Sequence, residues 1–277
     1  MCERFRDAKA LCTKSRLPAS DFVINPYVGC LHRCRYCYAS FMGRFTNHTE
    51  PWGTYIEPKR FASYRLPRNL KGKTILVGSV TDAYNPAERQ YRLMPDILRA
   101  LASSQAHVEI LTKSSLVLRD MELIRQIPDA AVSVSLSNLN GDDNALLEPG
   151  ADTAEQRLHT LKVLSENGIP TYLFVAPYLP GLTDLPLLCR RAGRYVRYVC
   201  VENLNLRGGS RKTVLGIIRG RHPDLYPLYE QIYLKKQGAA YWEALERSFP
   251  QIEQSCQVPI VSYLYHEKIK KGGKTDD

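Results

Sequence analysis

Six apolar segments rich in β-branched residues recur along the first 204 positions, and stretches with helical periodicity separate most of them. The segments span residues 22–27, 73–80, 107–113, 130–137, 171–181 and 195–204. Such strand–helix alternation predicts a parallel sheet whose strands are joined by right-handed crossovers. The pattern therefore predicts an α/β fold. It leaves open whether the sheet stays open or curls into part of a barrel.

The helical stretches carry their own start and stop signals. Leu93, Ile97 and Leu101 recur at helical spacing, and residues 117–127 form an amphipathic pattern. Thr153 and Gln156 fit a capping box, in which each side chain satisfies a free backbone donor at a helix start. A last helical region, residues 226–249, lies outside the alternation and is interrupted near Gly238.

Composition excludes some classes of protein. The 277 residues are 44% hydrophobic, yet no apolar run approaches the roughly 20 residues that a membrane-spanning helix needs. The N-terminal residues mix charges with apolar side chains and lack the apolar core of a secretory signal. We therefore expect no membrane partner and a cytoplasmic location, where clustered cysteines are more often metal ligands than disulfides.

The net charge of +10 is unevenly distributed, because residues 190–222 hold nine Lys and Arg against one acid, Glu202. The nine are Arg190, Arg191, Arg194, Arg197, Arg207, Arg211, Lys212, Arg219 and Arg221. Such a segment would attract phosphates, which makes nucleic acid a candidate partner. The alternative is a solvated surface strip, joined by a basic tail with Lys268, Lys270, Lys271 and Lys274.

Three cysteines, Cys30, Cys34 and Cys37, lie within eight residues directly after the first predicted strand. A structural zinc site wants four nitrogen or sulfur ligands, and His32 is closer to its neighbouring cysteines than ligand pairs usually are. A four-iron cluster fits better, because three thiolates hold three irons and leave the fourth iron open. S-adenosylmethionine can chelate that iron through its amino and carboxylate groups.

The spacing CxxxCxxC, with the aromatic Tyr36 before the last cysteine, resembles the signature of the radical S-adenosylmethionine (SAM) superfamily. The segments NPYVGCLHRCRYCYA, GSVTDAYNPAE, LTKSSLVLRD, SVSLS, LEPGADTAEQRL and VAPYLPGLTD, in order from residue 25 to about 184, are similar to its spore photoproduct lyase-like branch. The cysteine spacing and short length also resemble the radical SAM mobile pair proteins of that branch.

The resemblance implies a fold, cofactors and partners. It implies a partial (β/α)6 TIM-like barrel at residues 21–210, after an N-terminal extension (1–20) and before a C-terminal helical extension with a basic tail (211–277). The implied cofactors are a [4Fe-4S] cluster on Cys30, Cys34 and Cys37, and S-adenosylmethionine. The implied partners are a reductant such as flavodoxin or ferredoxin and, for a mobile pair protein, a second radical SAM protein.

The resemblance also assigns roles around the cysteine loop. Tyr36 matches the aromatic residue that lies against the adenine, and Tyr38 matches a tyrosine of the lyase branch that takes part in radical transfer. Thr81 and Asp82 end the second strand, where the family binds the amino group of the cofactor. Packing is the alternative for the tyrosines, and capping of the following turn is the alternative for Asp82.

Further cofactor contacts are expected at the ends of the next strands. Lys113 matches a motif whose ammonium pairs with the cofactor carboxylate, although a lysine there can also simply reach solvent. Ser135 and Ser137 share one face of the fourth strand, either facing the ribose or filling the core. Arg157, with Glu148, flanks the next helix start as a plausible carboxylate or supporting contact.

One position departs from the lyase pattern. Ser79 stands where the lyase has the cysteine that quenches the product radical, so repair by the lyase's own route is doubtful. Cys189, Cys200 and Cys256 are widely spaced and read best as isolated buried thiols, with a redox role as the alternative. Asn203 and Asn205 either face a substrate or shape a turn.

We therefore expect a radical SAM enzyme that acts on an unidentified substrate, with nucleic acid as the favoured class. One alternative is the same chemistry on a peptide or small molecule with a partner radical enzyme. The other is a non-catalytic, metal-stabilised nucleic-acid-binding protein.

Overall fold

The computed structural model describes residues 4–206 and 209–264, which contain eleven strands. They are β1 (Arg6–Ala8), β2 (Thr13–Lys14), β3 (Phe22–Ile24), β4 (Tyr27–Val28), β5 (Glu57–Phe61), β6 (Thr74–Val77), β7 (His107–Thr112), β8 (Ala130–Ser135), β9 (Thr171–Tyr178), β10 (Val199–Asn203) and β11 (Ile260–Tyr263). Eight of them form one sheet in the order β11-β10-β9-β8-β7-β6-β3-β2. Every neighbouring pair is parallel except β2 with β3.

The described residues also contain nine α-helices. They are α1 (Glu88–Tyr91), α2 (Met94–Leu101), α3 (Met121–Ile124), α4 (Gly141–Leu147), α5 (Ala154–Glu166), α6 (Leu185–Ala192), α7 (Gly209–Arg221), α8 (Tyr226–Tyr233) and α9 (Ala239–Cys256). The predicted capping box of α5 is present, because Thr153 accepts from the Gln156 backbone and Gln156 accepts from the Thr153 backbone. The predicted interruption near Gly238 lies between α8 and α9.

The six predicted strands are all present, which confirms the α/β class with its mostly parallel sheet. Between the described ends of the sheet, β11 and β2 do not pair, so the sheet is not closed. Its inner face nevertheless surrounds one cavity, which residues from β6, β7, β9, β10 and β11 line together. The sheet is therefore curved, and its carboxyl edge meets the cysteine loop.

Three features differ from the sequence expectation. Residues 117–127 are split into a 3-10 helix, Ser115–Asp120, and the short α3, because Ser114 accepts from the Leu116 backbone and Asp152 from the Ser115 backbone. The C-terminal region contributes β11, a seventh parallel strand on the edge of β10. A separate small sheet, β1-β5-β4, contains β4, which ends shortly before Cys30.

The C-terminal helices pack on the sheet core. Ile232, Trp242, Phe249 and Ile252 are buried in the same apolar cluster as the strands. Within the described ranges, no helix combines the length and apolarity that crossing a bilayer requires. Arg207 and the four tail lysines of the sequence analysis lie outside the described residues.

Candidate active site

A cavity of about 260 Å³ lies at the carboxyl ends of the parallel strands, and we call it the barrel cavity. Nine of the eleven residues predicted for the cluster, the cofactor and radical transfer line it: Cys30, Cys34, Tyr36, Cys37, Tyr38, Thr81, Asp82, Lys113 and Ser135. Parallel α/β folds place ligands at this edge, where loops from several strands converge. The fold therefore brings residues that are more than 100 positions apart to one site.

Glycines and backbone hydrogen bonds fix the path of the cysteine loop. Gly29 has a φ of +86°, and an added Cβ would lie 2.3 Å from the carbonyl oxygen of Tyr55. Only glycine therefore fits directly before Cys30. Further along, the Arg35 N–H donates to the Leu147 carbonyl at 2.8 Å and the Gly150 N–H donates to the His32 carbonyl at 2.9 Å.

Of the three cysteines, Cys30 is buried and Cys34 and Cys37 are partly buried. Burial raises the pKa of Cys30 to about 12, and it also raises the pKa of Cys34 and of Cys37. Buried thiolates need a compensating positive charge, which a bound metal provides. The donor set therefore fits an iron–sulfur cluster, in which each thiolate holds a different iron.

His32 does not act as a fourth ligand. Its Nδ1 lies 2.8 Å from the Gly150 carbonyl oxygen and its Nε2 lies 2.9 Å from Asp82 Oδ2, so both ring nitrogens are engaged. Among the described residues, no three His, Cys, Asp or Glu side chains converge as the ligands of a single metal ion would. This geometry argues against a zinc site completed by His32.

Asp82 ties the cysteine loop to two strands. Its Oδ1 accepts from the Tyr84 backbone and from Thr112 Oγ1, both at 2.8 Å. Its Oδ2 accepts from the Lys113 backbone at 2.7 Å and faces His32. Burial alone would raise the pKa of Asp82, but His32 and the backbone donors lower it overall. Both oxygens are thus used for positioning, including the turn capping that the sequence left as an alternative.

A buried ionic network lies beside Asp82. Glu148 Oε2 lies 2.5 Å from Arg157 Nη2, and Glu148 Oε1 accepts from the Tyr36 hydroxyl. Arg157 is fully buried, and it also donates to the Ser135 carbonyl at 3.1 Å and the Asp152 carbonyl at 2.8 Å. Burial would raise the pKa of Glu148, yet Arg157, Lys113 and Tyr36 together lower it to about 2. The network holds the Tyr36 ring in place.

Lys113 lies between this network and the cavity. Its ammonium donates to Ser135 Oγ and to the Ala176 carbonyl at 3.4 Å, and it lies 3.7 Å from Glu148 Oε1. It also lies 5.9 Å from the centre of the Tyr36 ring, within the range of a cation–π contact. The lysine is therefore held inside the site and does not extend to solvent.

The remaining predicted residues differ in how deeply they are buried and in whether they line the barrel cavity. Tyr38 is 45% exposed and donates to the Ser79 carbonyl at 2.5 Å, while Thr81 is buried and donates to the Tyr27 carbonyl at 3.3 Å. Ser137 and Arg157 do not line the barrel cavity, because both are buried behind its wall. Asn203 and Asn205 do line it.

The sequence analysis missed several inner-face residues. Glu109, Phe174, Tyr198 and Glu202 line the barrel cavity from β7, from β9, from the residue before β10 and from β10. Cys200, for which the sequence left a redox role as the alternative, also lines it. Glu109 accepts from Ser133 Oγ at 2.5 Å. The available signal was the period-two alternation of each strand, which puts Glu109, Leu111 and Lys113 on one face. Cys189 and Cys256, in contrast, are not among the lining residues.

Comparisons with known proteins agree with this geometry. A family model of the radical SAM superfamily matches residues 24–188. The uncharacterized protein MJ0683 of Methanocaldococcus jannaschii is 36% identical over 226 residues, which cover 80% of this chain and 84% of that protein. The uncharacterized protein Rv2578c of Mycobacterium tuberculosis is 33% identical over 228 residues, covering 76% of this chain and 67% of that protein.

Among solved structures, spore photoproduct lyase complexed with a dinucleoside spore photoproduct has a similar fold. The TM-score is 0.56 at 15% identity, over 76% of this chain, and the chain spans 63% of the length of that lyase. A variant of the lyase with bound AdoMet gives the same TM-score and identity over 78% of this chain and 66% of that one. At this identity the likeness shows the fold.

Proposed function

The chain belongs to the radical SAM superfamily and is an enzyme of that type, and from this premise we propose that the barrel cavity binds S-adenosylmethionine beside a [4Fe-4S] cluster. When bound, the reduced cluster supplies the electron that cleaves S-adenosylmethionine to a 5′-deoxyadenosyl radical, which abstracts hydrogen from a substrate. The observation that supports this proposal is the trio Cys30, Cys34 and Cys37 in the wall of a cavity at the carboxyl edge of the sheet.

We assign the cluster to the three cysteines and the cofactor to the residues around Tyr36. The Lys113 ammonium is suited to the cofactor carboxylate, because it is held inside the cavity by Ser135 and Ala176. Ser135 and Thr81 contribute hydroxyl groups at the same wall, and the Tyr36 ring provides a flat apolar face for the adenine.

Asp82, Glu148 and Arg157 act through other residues in this proposal. Asp82 positions the cysteine loop through His32 and the strand end through the Lys113 backbone. The Glu148–Arg157 pair positions Tyr36 through its hydroxyl. Ser137 lies further from the cavity, and its predicted contact with the cofactor remains a prediction.

The substrate class stays the nucleic acid favoured by the sequence, with a peptide or small molecule as the alternative. The barrel cavity carries the aromatic rings of Phe174 and Tyr198, on which a base could stack. Tyr38, at the mouth of the cavity, is the candidate for radical transfer. A flavodoxin or ferredoxin as electron donor, and a second radical SAM protein, remain proposed partners.

Anaerobic reconstitution with iron and sulfide tests the proposal. We expect about four irons per chain, in line with one cubane, a change in the cluster's electron paramagnetic resonance signal on addition of S-adenosylmethionine, and 5′-deoxyadenosine under dithionite. Stoichiometric zinc, without iron and without cofactor cleavage, would instead establish the non-catalytic binding protein.

A further inference from the structure

A second cavity, of about 350 Å³, lies on the outer side of the cysteine loop, and we call it the outer pocket. Strands β2, β3, β4 and β5 and the 3-10 helix Tyr38–Phe45 contribute its walls. It shares five lining residues with the barrel cavity: Leu17, Tyr38, Ser79, Val80 and Thr81. A group bound in the outer pocket therefore lies next to the proposed site of chemistry.

The described charged side chains that line the outer pocket are all positive. Lys14, Arg16 and Lys59 line it, and no Asp or Glu occurs among the described residues of its wall. The barrel cavity, in contrast, is lined by Asp82, Glu109 and Glu202 against Lys113. Phosphate is therefore favoured in the outer pocket and disfavoured on the far wall of the barrel cavity.

The three cations of the outer pocket have no ion-pair partner within residues 4–206 and 209–264. The nearest carboxylates along the chain are already engaged, because Glu57 pairs with Arg4 and Arg6 and Asp21 pairs with Lys73. Burial, and secondarily the charge of Arg6, lower the pKa of Lys59. An anion in the pocket would offset this uncompensated charge.

The described part of the basic segment at residues 190–222 does not supply cations to the outer pocket. None of its described cations lines either cavity. Arg191 pairs with Glu155 at 2.9 Å and Arg221 pairs with Asp142 at 2.7 Å. Arg194 and Arg219 lie over the rings of Tyr195 and Tyr226. The described cations of this segment therefore lie away from both cavities, whereas Lys14, Arg16 and Lys59 line the outer pocket.

We propose that the outer pocket is a binding site for a phosphate ester of the substrate, held by Lys14, Arg16 and Lys59, so that the adjoining part of the substrate reaches the barrel cavity past Tyr38. This inference rests on the proposed function only for the use of the barrel cavity. The phosphate forms charge-assisted hydrogen bonds with the guanidinium and the two ammonium groups. Phe41, which is 42% exposed, offers an aromatic face at the rim for a neighbouring base.

The test measures binding of a fluorescent single-stranded oligonucleotide of about 12 nucleotides to the reconstituted protein by anisotropy. The triple variant Lys14→Ala, Arg16→Ala, Lys59→Met removes the pocket cations. We expect its affinity to fall about tenfold or more and the slope of log affinity against log salt to become shallower by about 0.7, the contribution of one phosphate contact.

A matched triple variant, Arg190→Ala, Arg211→Ala, Lys212→Ala, removes the same number of positive charges from exposed positions of the basic segment at residues 190–222. We expect it to keep the wild-type slope. A pocket triple variant that binds with the wild-type affinity and slope would overturn the proposal, as would polyglutamate competing as well as the oligonucleotide.

Competition separates the sources of phosphate. Displacement by an unlabelled strand but not by adenosine monophosphate indicates a phosphodiester strand, and displacement by both indicates a phosphate monoester site. Cofactor cleavage under dithionite is measured on the same samples. A pocket variant that cleaves S-adenosylmethionine at the wild-type rate but has lost the salt-dependent binding separates the phosphate site from the radical chemistry.

Discussion

The barrel cavity and the outer pocket share a wall, but their charged side chains differ in whether they have bonding partners among the described residues. In the barrel cavity Asp82 forms four hydrogen bonds, Glu109 accepts from Ser133, and Lys113 is bound to Ser135. In the outer pocket Lys14, Arg16 and Lys59 have no ion-pair partner within the described part of the chain. The first site is preorganised by internal bonds, whereas the second has charge available for a ligand.

The largest expected effect is on the cysteine trio. Replacing Cys34 by Ala should reduce bound iron from about four per chain to near background and abolish 5′-deoxyadenosine formation, because the cubane loses one of three protein ligands. Cys200→Ala, in the same cavity but outside the trio, is the matched control and should retain the cluster. Equal iron content in both variants would contradict the assignment.

The buried pair gives the next largest effect. Arg157→Met leaves Glu148 buried without its closest cation and should lower the free energy of unfolding by about 3–5 kcal/mol. Urea unfolding measures this change. The exposed pair Arg191–Glu155 has a similar distance, yet Arg191→Met should cost only about 0–1 kcal/mol.

If the two arginine variants lose equal stability, burial does not make the Arg157–Glu148 pair more important for folding than the exposed pair. A double variant, Glu148→Gln with Arg157→Met, sharpens the test. It should recover part of the loss, because the buried carboxylate is no longer left charged without the guanidinium.

Asp82→Asn should have an intermediate effect. The amide keeps the shape of the carboxylate but cannot accept all four hydrogen bonds, so we expect a loss of about 1–3 kcal/mol of stability. Weaker binding of S-adenosylmethionine, measured by calorimetry, should accompany it, because the Lys113 strand end shifts. Asp96→Asn, at an exposed pair with Arg99, should change both quantities little.

The smallest expected effect is on Tyr38, which lies in the wall that the barrel cavity and the outer pocket share. Tyr38→Phe removes the hydrogen bond to the Ser79 carbonyl and should cost about 0.5–1.5 kcal/mol of stability. Thermal unfolding measures it against Tyr64→Phe, another exposed tyrosine, which should stay within about 0.5 kcal/mol. A Tyr38 variant as stable as the Tyr64 variant would show that this hydroxyl does not hold the wall between the two cavities.

The elements with strong local signals were predictable from the sequence. The six parallel strands and the capping box of α5 follow from periodicity and from residue types at a helix start. The strand β11 was not predicted, because four residues without a turn signal show no period, and only pairing with β10 makes them a strand. The 3-10 helix before α3 depends on Asp152, which is more than 30 positions away.

Some features of the site were likewise predictable from the sequence, and others were not. The spacing of Cys30, Cys34 and Cys37, and the residues at strand ends, could be read from the sequence alone. The pairing of Glu148 with Arg157 and Tyr36, and the positions of Glu109 and Glu202 in the wall of the barrel cavity, could not, because each joins residues from different elements of the fold.

The sequence by itself determined the strand–helix alternation and a cysteine loop suited to an iron–sulfur cluster, since both depend on neighbours a few positions apart. Only the tertiary structure decided which charges are neutralised. Four cations of residues 190–222 pair with acids or lie over aromatic rings, while Lys14, Arg16 and Lys59, which are scattered in the sequence, line one pocket. Electrostatic attraction depends on distance in space, and the order of residues along the chain does not set that distance.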